Sequence, residues 1–139
     1  MKQESKEKII RNKDTGNMFV RYIKSFFHAV SGIIYTIRNE HNMIIMIMAT
    51  FVVAFAGLYY SISIPEWLFC IGIIGAVIAS EMMNTAIEAL VDLISPKSHP
   101  LAKIAKDTAS GAVLVMAITS AIIGLIILLP KALVYIGLI

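Results

Sequence analysis

Cysteine is nearly absent: Cys70 stands alone among 139 residues, which excludes a disulfide framework and a thiolate metal cluster and leaves that side chain as a small apolar filler. The GxxxxGK[ST] loop that cradles phosphates is missing, and so are HRD and DFG, so the chain is neither a P-loop nor a protein-kinase-like phosphotransferase. No apolar core occurs in the first 24 residues, which are rich in Lys, Glu and Asn, so no cleaved secretory signal is expected. Positive charge is in small excess, +3 overall, and no basic patch interleaved with aromatics appears, which excludes nucleic acid as a partner. Charge itself is scarce. Charged residues make up 15% of the chain against 58% hydrophobic, a balance that excludes an ordinary soluble domain.

What is present reads as a membrane protein. Between Glu40 and Glu66 lie 25 residues without a formal charge, and between Asp107 and Lys131 lie 23. Each run is close to the roughly 20 apolar residues that cross a bilayer. The uncharged run from Trp67 to Ser80 is shorter, but helical character continues on both sides through "EWLFCIGIIGAVIASEMMNTAIEALVDLI", giving a third span with a polar inner end. The first span is expected from about Met43 to Tyr60. The second helix starts near Pro65, where a missing N–H costs nothing, and runs to about Ile94; "SPKSHP" breaks it. The last helix is expected from Leu101 to about Leu129, stopped by Pro130. Gly72, Gly75 and the Ala109 to Ala112 segment are places where another helix can approach closely, which implies tight packing, between subunits as well as within one.

Ahead of the spans, "NMFVRYIKSFFHAVSGIIYTIRN" places Phe19, Ile23, Phe26, Phe27, Val30, Ile34 and Ile37 at three- and four-residue intervals, with Arg21, Lys24, His28, Ser31 and Arg38 opposite. This is an amphipathic helix, lying in the membrane interface, packed on the protein's own core, or both. Of the 12 basic residues, eight precede His41 and three lie in "SPKSHPLAKIAKD", whereas "YSISIPE" has none. The distribution of positive charge therefore puts the N-terminus and the Ser95 to Asp107 loop in the cytoplasm, and residues 60 to 66 outside. The domain reading is a polar cytoplasmic tail over residues 1–16 followed by one membrane-embedded domain over 17–139.

The polar residues of the second span form a stripe. At 100° per residue, Glu81, Asn84, Glu88 and Asp92 fall within a sector of about 80°. A carboxylate toward the hydrocarbon costs up to roughly 2.5–3.5 kcal/mol and needs compensation, which makes Glu81 a functional candidate. Glu40, Lys106 and Asp107 stand at the same membrane surface. Several carboxylates with a lysine, and no Cys or His cluster at ligand spacing, suit a hard, oxygen-seeking ion such as Mg²⁺ with phosphate groups. Such a set fits phosphoryl transfer to a lipid hydroxyl, a carboxylate taking its proton. For Asp92, Lys97, Lys103, His99 and His28 a plain solvating or pairing role is an open alternative.

"SEMMNTAIEALVDLI" followed by "HPLAKIAKDTASGAVLV" resembles the prokaryotic diacylglycerol kinase family, small integral-membrane lipid kinases marked by E-x-x-N-[ST]-A-I-E-x-x-[VI]-D and a downstream A-K-D. The wording "HPLAKIAKD" is closer to the Gram-positive branch, whose members phosphorylate undecaprenol. The resemblance covers about Asn17 to Leu129. It implies an all-α homotrimeric bundle of three-span subunits in the plasma membrane, with the interfacial N-terminal helix and a cytoplasmic active site between subunits, using ATP and Mg²⁺. It further implies Glu81 as the general base that meets the lipid, Asn84 as a positioning residue, and Glu40 and Glu88 as metal-bridging carboxylates that reach the nucleotide. Lys106 and Asp107 would hold ATP, with Arg21, His28, Lys97, Ser98 and His99 closing its site. His28 stands where the proteobacterial branch has Tyr. "HNMIIMIM" is apolar where the diacylglycerol-specific branch carries charge, which favours undecaprenol over diacylglycerol as acceptor. Two other classes compete with the kinase: a small channel or proton conductor, for which Trp67 to Ile78 supplies no polar lining, and a scaffold subunit, which leaves the Glu81 stripe without a purpose.

Overall fold

The structure is a computed structural model describing residues 18–138, so the tail expected over residues 1–16, and Asn17, lie outside the described residues. Four α-helices follow one another: α1 Met18–Asn39, α2 His41–Tyr59, α3 Ile64–Ile94 and α4 Pro100–Tyr135. No strand occurs among the described residues. The last three are each long and apolar enough to cross a membrane. The chain divides into two compact units between Tyr35 and Thr36.

The first unit carries most of α1. Along this helix polar and apolar side chains separate onto two faces, as the periodicity predicts. Phe26 and Phe27 meet edge to face, ring centroids 6.3 Å apart. Arg21 and His28, seven residues apart, share one face and are both exposed.

The second unit begins with the last turn of α1, where Thr36 is buried. Glu40 then leaves helical geometry at φ −103° and ψ 116° and becomes the N-cap of α2. A short turn joins α2 to α3, with Ile62 buried and Ser61 in the left-handed region at φ 50°. The start of α3 is fixed by a capping box: the Glu66 carboxylate accepts from the Ser63 backbone N–H at 2.6 Å and from the Ser63 hydroxyl at 2.7 Å, with Pro65 in the first turn. His99 caps α4, its Nδ1 accepting the Leu101 N–H at 3.2 Å ahead of Pro100.

Two ion pairs stitch α3 to α4, Asp92–Lys106 at 2.7 Å near one end and Glu66–Lys131 at 3.3 Å near the other. They are separated by nearly the same number of residues along each helix, as an antiparallel hairpin in constant register requires. At the Glu66 end the core is apolar: Ile62, Cys70 and Ile127 pack with Val53, Tyr60, Trp67, Ile123 and Leu128. Here Cys70 is the buried filler expected. At the other end the buried residues include Thr36, Glu81, Asn84 and Thr85. Within the spans, hydroxyls turn back onto their own helix: Thr50 donates to the Met46 carbonyl at 2.8 Å, Ser80 to Val77 at 2.8 Å and Thr119 to Val115 at 2.9 Å. This spares apolar surroundings from unpaired O–H groups.

One expectation needs correction. Helix α4 does not stop at Pro130 but continues to Tyr135 with Pro130 inside it. The extra turn is held from outside the helix, by the Lys131–Glu66 pair and by a hydrogen bond between the Tyr59 and Tyr135 hydroxyls, so the lost backbone bond is tolerated. Of the small residues expected to admit another helix, Ala109 is buried within the chain. A Cβ at Gly72, Gly75 or Gly111 would meet nothing within 4 Å, whereas one at Gly57 would lie 2.8 Å from the Trp67 ring. The turn between α2 and α3 folds the Trp67 indole across Gly57, and only a missing side chain makes room for it.

Candidate active site

The polar stripe of α3 is buried where it faces the other helices and exposed where it leaves them. Glu81 is 1% exposed, and Asn84 and Thr85 are buried with it. Thr85 donates its hydroxyl to the Glu81 carbonyl at 3.0 Å. The Glu81 carboxyl itself is different: neither oxygen has a hydrogen-bond partner, and the Asn84 Oδ1 is likewise unpartnered. Buried polar atoms in this condition are uncommon and costly, which makes this the place in the fold to look for a bound partner.

Helix α2 brings further polar groups to this point. Asn42 approaches the Glu81 carboxyl from the first turn of α2 without completing a hydrogen bond, and the Glu40 and Glu88 carboxylates both act on it electrostatically. As N-cap, Glu40 makes no side-chain capping bond, so its carboxylate is not spent on α2. Asn84 donates its Nδ2 to Glu88 Oε1 at 3.2 Å. From α4, Lys106 feels Glu88 as well as its partner Asp92. Of the sequence-predicted residues, Asn84 and Glu88 are thus hydrogen-bonded to each other, Glu40 and Glu88 are near enough to act on the Glu81 carboxyl, and Lys106 pairs with Asp92 within reach of Glu88. Among the described residues no group of three or more His, Cys, Asp or Glu side chains converges as a metal cage.

The remaining predicted residues are disposed around or apart from these. Asp107, next to Lys106 in sequence, turns to Lys103 and forms an ion pair with it one helical turn away. Lys97 and Ser98 are exposed in the loop between α3 and α4, where His99 is occupied as the cap. Arg21 and His28 belong to the first unit.

Sequence reasoning passed over Asn42, which lies in a segment read as apolar; its signal is its position in the turn that follows Glu40. It also missed the groove. An elongated cavity of about 860 Å³ runs between α2, α3 and α4, with Asn42, Glu81, Asn84 and Ser110 among the residues lining one end and Tyr60 and Ala132 among those lining the other. Between these ends its walls are almost wholly aliphatic. A carboxylate with open hydrogen-bonding sites at the head of a long apolar groove suits a molecule with one hydroxyl and a hydrocarbon tail.

Comparison with known proteins agrees with this chemistry. The family model described as prokaryotic diacylglycerol kinase matches residues 27–128. The chain is 48% identical over 120 residues to the undecaprenol kinase of Bacillus subtilis, covering 86% of this chain and 98% of that protein. It is 36% identical over 115 residues to a diacylglycerol kinase of Synechocystis, covering 78% of this chain and 63% of that protein. A diacylglycerol kinase of Helicobacter pylori is 34% identical over 98 residues, covering 70% of this chain and 76% of that protein. With three membrane-crossing helices and a buried carboxylate at the head of a lipid-sized groove, the chain belongs to the prokaryotic diacylglycerol kinase family and is a membrane lipid kinase.

Proposed function

We propose that the protein transfers the γ-phosphoryl group of ATP to the hydroxyl of undecaprenol, giving undecaprenyl phosphate and ADP. The observation that carries this reading is Glu81: a carboxyl 1% exposed, both oxygens unpartnered, at the polar end of an apolar groove. Its open lone pairs accept the hydrogen bond of the alcohol placed beside it. As the alcohol oxygen bonds to the γ-phosphorus and the bond to the β-phosphate oxygen breaks, Glu81 takes the hydroxyl proton.

Glu40 and Glu88 are the residues that would hold Mg²⁺. Two carboxylates, without an all-protein cage, suit an ion that keeps water and substrate phosphates among its ligands. When bound, the ion neutralises charge on the phosphates. Asn84 orients Glu88 through its 3.2 Å hydrogen bond. Lys106 supplies positive charge to the nucleotide phosphates, and Asp107 lies toward the adenosine side. Lys97, Ser98 and His99 close the nucleotide site. The chain over 17–139 works as one kinase domain in the plasma membrane, as a homotrimer, with the N-terminus and the Glu81 end at the cytoplasmic face.

Support for undecaprenol over diacylglycerol comes from the apolar groove and from the 48% identity to a protein named for that substrate. The test is to incubate the purified protein with labelled ATP and, separately, with undecaprenol and with diacylglycerol. Faster label transfer to undecaprenol is expected. Preference for diacylglycerol would overturn the acceptor, and transfer to neither would overturn the function.

A further inference from the structure

On the α4 wall of the groove, between Leu114 at one side and Leu125 and Leu128 at the other, small residues recur at helical intervals: Ala117, Ala121 and Gly124. A Cβ placed on Gly124 would meet nothing within 4 Å, so the space in front of it is open. From Ser110 to Ala132 the α4 wall extends about 33 Å, close to the roughly 30 Å of a bilayer's hydrocarbon core. Past Gly124 the groove reaches Tyr60, whose ring packs edge to face on Tyr59 and Tyr135 at 5.2 Å and 6.0 Å between centroids. The Glu66–Lys131 pair fastens α3 to α4 at the same end. The groove therefore has a polar head with unpartnered buried oxygens, a smooth trunk and an aromatic stop.

We propose that Ala117, Ala121 and Gly124 form a chain-length gauge, leaving room for a single hydrocarbon chain to lie extended from Glu81 to Tyr60. This rests on the lipid-kinase reading and assigns the selection of long-chain prenols to the α4 wall of the same site. The head holds any primary alcohol, whereas the trunk rewards only chains long enough to fill it. A bulky side chain at Gly124 blocks the trunk about 21 Å from the level of Ser110, and one at Ala117 blocks it after about 10 Å. The two blocks exclude chains of different lengths, a distinction that loss of folding does not produce.

The experiment uses the full chain in detergent micelles, with ATP and a series of prenols from farnesol to undecaprenol. Wild-type turnover should rise with chain length. In Gly124→Leu the ratio of undecaprenol to farnesol turnover should fall at least tenfold, and in Ala117→Leu the fall should begin at shorter prenols. Light scattering of each variant checks the alternative occupant, a second copy of the chain. A ratio that stays at the wild-type value in both variants, or a loss of rate on all prenols together with a changed oligomeric mass, overturns the gauge. If the wild type phosphorylates no prenol at all, the undecaprenol reading fails and the gauge falls with it.

Discussion

Asn84 holds Glu88 Oε1 at 3.2 Å with its Nδ2 while its own Oδ1, buried, is left without a partner. One amide thus faces two ways, toward a carboxylate assigned to the metal and toward the space assigned to substrate. If Asn84 is the orienting partner of a ligand carboxylate, Asn84→Ala should raise the Mg²⁺ concentration for half-maximal activity about 10- to 100-fold, as loss of such partners does. Glu88→Gln and Glu40→Gln should raise it at least as far. Titration of activity with Mg²⁺ checks all three, and an unchanged midpoint speaks against the metal assignment.

Glu81→Gln keeps the shape of the side chain and removes its ability to take a proton. Lipid phosphorylation should drop by roughly 10²–10⁴-fold, the usual contribution of a general base. Helix content by circular dichroism and elution volume should match the wild type. Retained turnover would remove Glu81 from the base role.

Lys106 has two claims on it, the Asp92 carboxylate and the nucleotide. The Asp92–Lys106 pair is largely exposed on the Asp92 side, so Asp92→Asn should change stability by less than about 1 kcal/mol and should not raise KM for ATP. Lys106→Met should raise that KM tenfold or more, in line with the roughly 1.5–3 kcal/mol of a hydrogen bond to a charged group. Steady-state kinetics separate the cases; equal rises in both variants would make the ion pair itself the functional unit.

Gly57→Ala should destabilise the protein. The new methyl would sit 2.8 Å from the Trp67 ring and 3.0 Å from Ile62 Cδ1. Overpacking costs about 1–3 kcal/mol, against about 1 kcal/mol gained by replacing a helical glycine with alanine. In a Trp67→Ala background the ring contact disappears and Ile62 Cδ1, the end of a flexible side chain, can shift into the space freed, so the same substitution should become stabilising. Thermal unfolding in detergent, followed by circular dichroism, reads the change of sign.

Much of this was legible in the sequence because membrane spans declare themselves by composition. The uncharged runs located α2 and α4, and Pro65 and "SPKSHP" bounded α3. The angular arithmetic that put Glu81, Asn84 and Glu88 on one face agrees with the burial of Glu81 and Asn84 together and with the Asn84–Glu88 hydrogen bond, since rotation along a single helix depends on that helix alone. What depended on neighbours was hidden. Pro130 read as a stop because Lys131 and Tyr135 find their partners on other helices. Gly57, crossed by the Trp67 indole, gave no signal of its own, since its partner lies beyond a turn. The ion pairs of Lys106 and Asp107 were hidden too: helical geometry sends these adjacent side chains about 100° apart, to Asp92 and Lys103 respectively.

Under the proposed reaction, the aliphatic lining of the groove decides which end of the lipid must move. The hydrocarbon tail is the same in the alcohol and in its phosphate ester, so the walls hold both alike. Only the newly charged head differs, and water and headgroups solvate it better than a buried pocket does, so departure starts from the head.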